Sequence, residues 1–298
     1  MRVLGSAAGG GYPQWNCACR LCQRVRLAEL NFRSRRHACL SVSATGKHWY
    51  LLNATPDVRF QIESFPELHP GPRLRETPLR GVLLTDAELD HTLGLLILRE
   101  GTSLEVRATT TVLAALAGAF PVRQILRSYA SFRWREVKPG EAFLLDEDRL
   151  RVEGFRLGAK QPRYITSSKM DGDWVIGYRF TDLASGGVAV YAPAIEAWTN
   201  ELDAHLSGVR CAFIDGTFWT DDEMIQVGAS QLTARQMGHL QISGAGGSAE
   251  RLATLPISRK VYLHINNTNP LLDDESSESR LLAGMGIEVG RDNMEVEV

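Results

Sequence analysis

The sequence predicts an α+β fold in which two β-sheets pack face to face and helices cover their outer faces. Three observations predict it. Short apolar, β-branched runs dominate both halves of the chain. Helical stretches fall between them without the regular strand and helix alternation of a doubly wound sheet. No Pro/Gly/Ser-rich linker or low-complexity tract divides the 298 residues, so one domain over 1–298 is expected, with a cysteine-bearing N-terminal loop around 5–23.

Arg2–Gly5 reads as a short strand, and the glycine-rich run to Gly11 as a loop, because so many glycines cannot hold a helix. Neither the Lys-Ser/Thr ending of a P-loop nor dinucleotide-binding spacing follows, so a tight turn passing close to other backbone is expected rather than a phosphate cradle. Leu40–Ser43 and Trp49–Asn53 flank a Gly-containing polar stretch and read as a hairpin. Val82–Leu84 is a buried strand. From Thr85 to about Glu100, Leu93, Leu96 and Ile97 recur at helical spacing, with Gly101 at the stop. Val106–Val112 reads as strand and Leu113–Ala119 as helix. Further strands are expected at Leu150–Phe155, Trp174–Phe180, Gly187–Tyr191, Cys211–Ile214 and Lys260–Ile265, and helices at Ser248–Leu255 and Ser276–Gly284. Ile287–Val289 and Met294–Val298 would form a final strand pair.

The charges nearly cancel, 33 Lys and Arg against 35 Asp and Glu, leaving no global pull toward nucleic acid or anionic membrane. No run approaches the roughly 20 apolar residues of a membrane span, and the start Met1-Arg2-Val3-Leu4-Gly5 lacks the basic and apolar segments of a secretory signal. A cytoplasmic protein with a small-molecule substrate is expected.

Of the five cysteines, Cys17, Cys19 and Cys22 are bunched as Cys-x-Cys-x-x-Cys. Such spacing lets three thiolates converge on one borderline cation, most naturally a structural Zn²⁺. The alternative is three reduced cysteines in a loop. A second cluster, Thr85-Asp86-Ala87-Glu88-Leu89-Asp90-His91, lies where a strand meets a helix. Thr85 and Glu88 could be a capping box, with acids suited to a helix start, but Asp90 and His91 are not explained that way. Asp215 and His264 each follow an apolar strand, so two imidazoles and two carboxylates from three segments could hold one Fe, Mn or Zn ion. His239 could carry a proton near neutral pH. His37, His48, His69 and His205 read as solvated; Arg33, Arg35 and Arg36 read either as carboxylate binders or as a solvated basic turn.

The order of Cys17-x-Cys19-x-x-Cys22, Thr85–His91, Asp215-Gly216-Thr217, Gly238-His239 and His264 resembles the metallo-β-lactamase superfamily, in particular its ribonuclease Z and phosphonate-pathway phosphodiesterase branch. The run from Gly5 to Cys17 and the segment His264-Ile-Asn-Asn-Thr-Asn-Pro270 are similar to the pyrroloquinoline quinone (PQQ) biosynthesis branch, and the likeness spans essentially the whole chain. The resemblance implies a four-layer αββα sandwich with metal at one edge. It implies that Asp86 and Glu88 replace the first two histidines of the His-x-His-x-Asp-His hallmark, so that the first metal site is lost and the second survives as Asp90, His91, Asp215 and His264. It further implies an Fe(II)- and O₂-dependent hydroxylase acting on the tyrosine ring of a glutamate-tyrosine-derived precursor, with Asp86 and His239 moving protons. The related zinc site is completed by a histidine where this chain has Asn267. A single-metal hydrolase and a PQQ carrier are the competing readings. Other PQQ-pathway enzymes and a second copy of the chain are the partners left open.

Overall fold

In the computed structural model, which describes residues 1–100, 103–165 and 171–298, the apolar runs assemble into two sheets. The first holds β1 (Arg2–Gly5), β2 (Cys39–Val42), β3 (Trp49–Leu52), β4 (Leu79–Leu83), β5 (Glu105–Ala108) and β6 (Arg133–Glu136), lying side by side in chain order. The second holds β7 (Ala142–Leu145), β8 (Leu150–Gly158), β9 (Val175–Asp182), β10 (Val188–Ala192), β11 (Cys211–Asp215), β12 (Arg259–Leu263) and β13 (Ile287–Val289), again in chain order. Each sheet starts antiparallel and turns parallel, at β3/β4 in the first and at β10/β11 in the second. Parallel neighbours need crossover connections, and these carry the helices.

One core lies between the sheets, where Val3, Leu40, Leu52 and Leu83 meet Tyr178, Phe180, Phe213 and Leu263. The opposite faces bury Leu51, Val82 and Val106 of the first sheet, and Ala212, Ile214 and Tyr262 of the second, within a core that also takes in helical side chains such as Leu95, Val112, Leu202 and Leu252. Helix, sheet, sheet, helix is therefore the layer order, the metallo-β-lactamase sandwich. Among the described residues no helix is long and apolar enough to cross a membrane.

Four local expectations are corrected. The helix expected from Thr85 begins only at Leu89 and is split into Leu89–Thr92 and Gly94–Ile97; Gly101 lies outside the described residues. The capping box does not form: Glu88 itself is the N-cap, while Thr85 Oγ1 donates to Asp86 Oδ2 (2.7 Å) and Glu88 N to Asp86 Oδ1 (2.9 Å). β5 stops at Ala108 because the Thr109 hydroxyl accepts from Val112 N (3.2 Å) and starts the helix Thr110–Ala115 early. Ile287–Val289 and Met294–Val298 do not pair: β13 runs parallel to β12, and the tail returns to β1, with Val3 N donating to Met294 O at 2.9 Å. The edge strands β6 and β7 escape the hydrophobic pattern because their side chains are largely exposed.

The arginine trio does not line the catalytic cavity described below. Arg35 Nη1 reaches Gly290 O (2.8 Å) and Arg36 N reaches Asp292 (2.9 Å), so this segment ties the N-terminal region to the chain's end. His69 is exposed, whereas His37 is paired to Asp57 (2.7 Å), His205 stacks on Phe155 with ring centroids 4.2 Å apart, and His48 is half-buried near Asp146.

Candidate active site

Parallel strands end where this fold places its chemistry, and three such ends converge here. β4 leads into Thr85–His91, β11 ends in Asp215, and β12 delivers His264. The N-terminal glycine run closes over them: a Cβ on Gly9 would press on Asp90 Oδ2 at 3.0 Å. The expected close passage to other backbone is at Gly5, where a Cβ would run into the carbonyl oxygen of His37.

Ligand atoms of Asp90, His91 and His264 all lie within 4.8 Å of one another, as do those of Asp215, His239 and His264. The expected ligands thus fall into two overlapping groups that share His264, with Asp90 and His91 in one and Asp215 beside the expected proton carrier His239 in the other. Asp90 Oδ2 stands 3.7 Å from His91 Nε2 and 3.8 Å from His264 Nε2. Both Nε2 atoms are buried and have no hydrogen-bond partner among the described residues. An orphaned buried nitrogen costs about 1–3 kcal/mol. Two of them aimed beside one carboxylate fit a cation.

The other ring nitrogens are fixed. His91 Nδ1 meets both oxygens of Asp86 at 2.8 and 2.7 Å, and His264 Nδ1 meets Thr217 Oγ1 at 2.7 Å. Metal-binding imidazoles are ordinarily oriented in this way. Asp86 is fully engaged, since it also accepts from Thr85 and Glu88 N. Asp215 is engaged likewise: Oδ1 accepts from Thr217 N (3.0 Å) and Oγ1 (2.6 Å), while Oδ2 accepts from Ile195 N (2.9 Å) and faces His239 Nδ1 (2.8 Å). His264 sits at φ 60°, a conformation that costs an L-residue about 1–2 kcal/mol. Ile265 N on Ser6 O and Asn266 N on Thr217 O hold it there.

Burial alone would lower His91, but the charges of Asp86 and Asp90 outweigh it and raise the imidazole to about 9. His264, where burial wins, is lowered. Burial would raise Asp90 and Asp215, yet the neighbouring imidazoles hold both below the ordinary carboxylate range. Glu88 is raised by burial and by Asp86.

Asp86, Glu88, Asp90, His91, His239 and His264 open on a cavity of about 620 Å³, with Asp215 buried behind them, within the ~300–1,000 Å³ typical of small-molecule sites. Leu89, Val175, Phe218, Met224 and Met237 give it apolar walls, and Lys160 and Arg163 also line it. The three clustered cysteines form a separate group, with Sγ atoms mutually within 4.8 Å. The side-chain amide of Asn267 sits over them, 3.2, 3.7 and 3.4 Å from Cys17, Cys19 and Cys22. Burial raises the Cys22 thiol to about 12, whereas hydrogen bonds from neighbouring groups outweigh burial at Cys19 and lower it.

Sequence reasoning missed Thr217 as the hub joining Asp215, His239 and His264. It missed Asn53, whose side chain fixes Thr85 through Thr85 N (2.9 Å) and Oγ1 (3.0 Å). Thr217's place two residues after Asp215 was the available signal; Asn53 offered none.

A sequence profile described as the beta-lactamase superfamily domain matches residues 48–265. Coenzyme PQQ synthesis protein B of Methylococcus capsulatus is 40% identical over 99% of this chain and 99% of its own length. The protein of the same name from Pseudomonas paraeruginosa is 41% identical over 100% and 99%. A crystal structure of Zn²⁺-bound PqqB from Methylobacterium extorquens superposes with a TM-score of 0.92 at 34% identity, covering 100% of both chains. Full-length likeness in sequence and in fold places this chain in the coenzyme PQQ synthesis protein B family of the beta-lactamase superfamily.

Proposed function

We propose that this protein serves PQQ synthesis as an Fe(II)- and O₂-dependent hydroxylase of the tyrosine ring of a glutamate-tyrosine-derived precursor. The supporting observation is the pair of buried, unpartnered Nε2 atoms of His91 and His264 beside Asp90. Asp90, His91 and His264 would hold the iron, joined by Asp215 when its Oδ2 gives up His239, a nitrogen and oxygen donor set suited to a mononuclear centre with open positions. Bound iron supplies the O₂ chemistry that side chains lack.

The two-metal hydrolysis of the superfamily needs a second ion to clamp attacking and leaving oxygens, which leaves a single-metal hydrolase as the competing enzyme. Asp86 and Glu88 stand where that ion's histidines would be, and Asp86 is spent on His91. In this reading Asp86 positions His91 instead of taking the phenol proton as expected from the sequence. His239, half-buried at the cavity and held by Asp215 and Thr217, is the group that moves that proton. Phe218, Met224 and Met237 exclude water from the ring. Overall, a ring C–H becomes C–OH: one atom of O₂ enters the ring, and the other leaves as water with two electrons from an external reductant and two protons. Cys17, Cys19 and Cys22 would hold a structural Zn²⁺, with the fourth corner open to the side-chain oxygen of Asn267 once its amide turns over, because the NH₂ that faces the sulfurs is a donor.

Anaerobic loading with Fe(II), then addition of O₂, a reductant and glutamyl-tyrosine, should yield a product heavier by each inserted oxygen atom. Turnover with Zn²⁺ alone would overturn the oxygenase in favour of a hydrolase. Tight PQQ binding without turnover under any metal would favour a carrier.

A further inference from the structure

Two cations of the cavity wall, Lys160 and Arg163, have no part in holding metal or moving the phenol proton. Lys160 is built into its place. Gly238 has φ 86°, a conformation glycine favours, and a Cβ there would run into Lys160 Cδ, so the lysine stem lies flat on the glycine between Met237 and His239. Its Nζ donates to Met237 O. An ammonium has three donors, and among the described residues no carboxylate is ion-paired with this one. Glu88 is within electrostatic reach of it but forms no ion pair with it. Arg163 is exposed and also makes no ion pair among the described residues. Of the acids that share the cavity, Asp86 is occupied by His91 and Asp90 by two imidazoles, and Glu88 forms no ion pair with either cation among the described residues. The cationic charge is thus left to the occupant, next to apolar walls in which two methionines can shape themselves to a ring.

We propose that Lys160, assisted by Arg163, is the specificity arm of the cavity: it binds carboxylate on a ring-bearing substrate and so fixes which edge of the ring faces His91, His239 and His264. The proposal rests on the reading that the occupant is an amino-acid-derived phenol, and adds that its free carboxylates are required for recognition. Neutral amides are rejected because they leave the ammonium unpaired.

The test measures binding, not turnover. Zinc-loaded full-length protein is titrated calorimetrically with N-acetyl-glutamyl-tyrosine and with its neutral counterpart, N-acetyl-glutaminyl-tyrosine amide. Charge-assisted contacts predict that the acid binds roughly tenfold or more tightly than the amide. In Lys160→Met that ratio should fall toward one, and in Arg163→Met it should fall by a smaller factor. A folding defect weakens both ligands alike and leaves the ratio in place, so the ratio is its own control. A wild-type ratio near one, or a ratio that survives in the Lys160→Met, Arg163→Met double variant, overturns the proposal. The mass assay with iron separates the two readings: no oxygen insertion with a Lys160-dependent ratio sinks the hydroxylase and keeps the arm, and insertion with a Lys160-independent ratio does the reverse.

Discussion

Asp86→Asn isolates the step from sequence to metal affinity, because it keeps the side chain's shape and removes its charge. Asp86 accepts from Thr85 Oγ1 and Glu88 N and receives His91 Nδ1 on both oxygens. Asparagine can still accept from Glu88 N. Its NH₂ must then face Thr85 Oγ1 or His91 Nδ1; facing His91, it would require the opposite tautomer and move the ring proton to the Nε2 atom meant for the metal. Losing an oriented carboxylate behind a ligating histidine weakens metal binding by about 10–100-fold, or about 1.4–2.8 kcal/mol. Competition with a graded chelator series, read by metal analysis of the desalted protein, measures this loss, while zinc on the cysteine group stays at wild-type occupancy. Unchanged affinity at the His91 site would refute the claim that Asp86 works through His91. Asp86→Ala is the less informative variant, since it strands the Glu88 N–H at a cost of about 1–3 kcal/mol and confounds affinity with folding.

His264→Ala should abolish iron loading and leave zinc on Cys17, Cys19 and Cys22, checked by metal stoichiometry; loss of both metals together would mean that the two sites are not separate. Gly238→Ala forces φ 86° on a residue with a Cβ and drives Lys160 aside, so a loss of about 1–2 kcal/mol is expected in thermal unfolding, together with weakened binding of anionic ligands. Burial raises Glu223 from 4.5 to about 7 while Thr268 Oγ1 and Trp219 N donate to it. The folded state therefore keeps a proton that the unfolded chain releases, and stability should fall as pH rises from about 4.5 through about 7 and then level off. Glu223→Gln should flatten that slope in denaturant titrations across the same range, and an unaltered slope would assign it to another group.

Much of the fold was legible because the buried strands carry short apolar runs: all of β10, Cys211–Ile214 of β11, and the last residues of β4 and β12. The edge strands β6 and β7 did not, since an exposed strand needs no apolar period. The stretch Thr85–Glu88 was misread as a helix start because a capping box and an Asx turn use the same residue types. What decided between them was Asn53, 32 positions upstream, whose amide claims Thr85. The proposed ligands were legible in two ways: Asp90 and His91 as an acid and imidazole that helix capping does not explain, Asp215 and His264 as polar residues at the ends of apolar strands. Thr217 and Lys160 were not, because their importance lies in what the folded chain brings against them.

The segment leaving β12 has a mechanical consequence. His264 presents its imidazole to Asp90, the amide of Asn267 rests on three sulfurs, and Asn269 reaches back to the carbonyls of Gly216 and Thr217 (3.0 and 3.2 Å). One short stretch of backbone is thus moored at both ends and in the middle. If the proposed zinc sits on these thiolates, stripping it would slacken that mooring and let the strained His264 relax out of register. An ion held outside the cavity would then govern how well the candidate reaction centre is assembled.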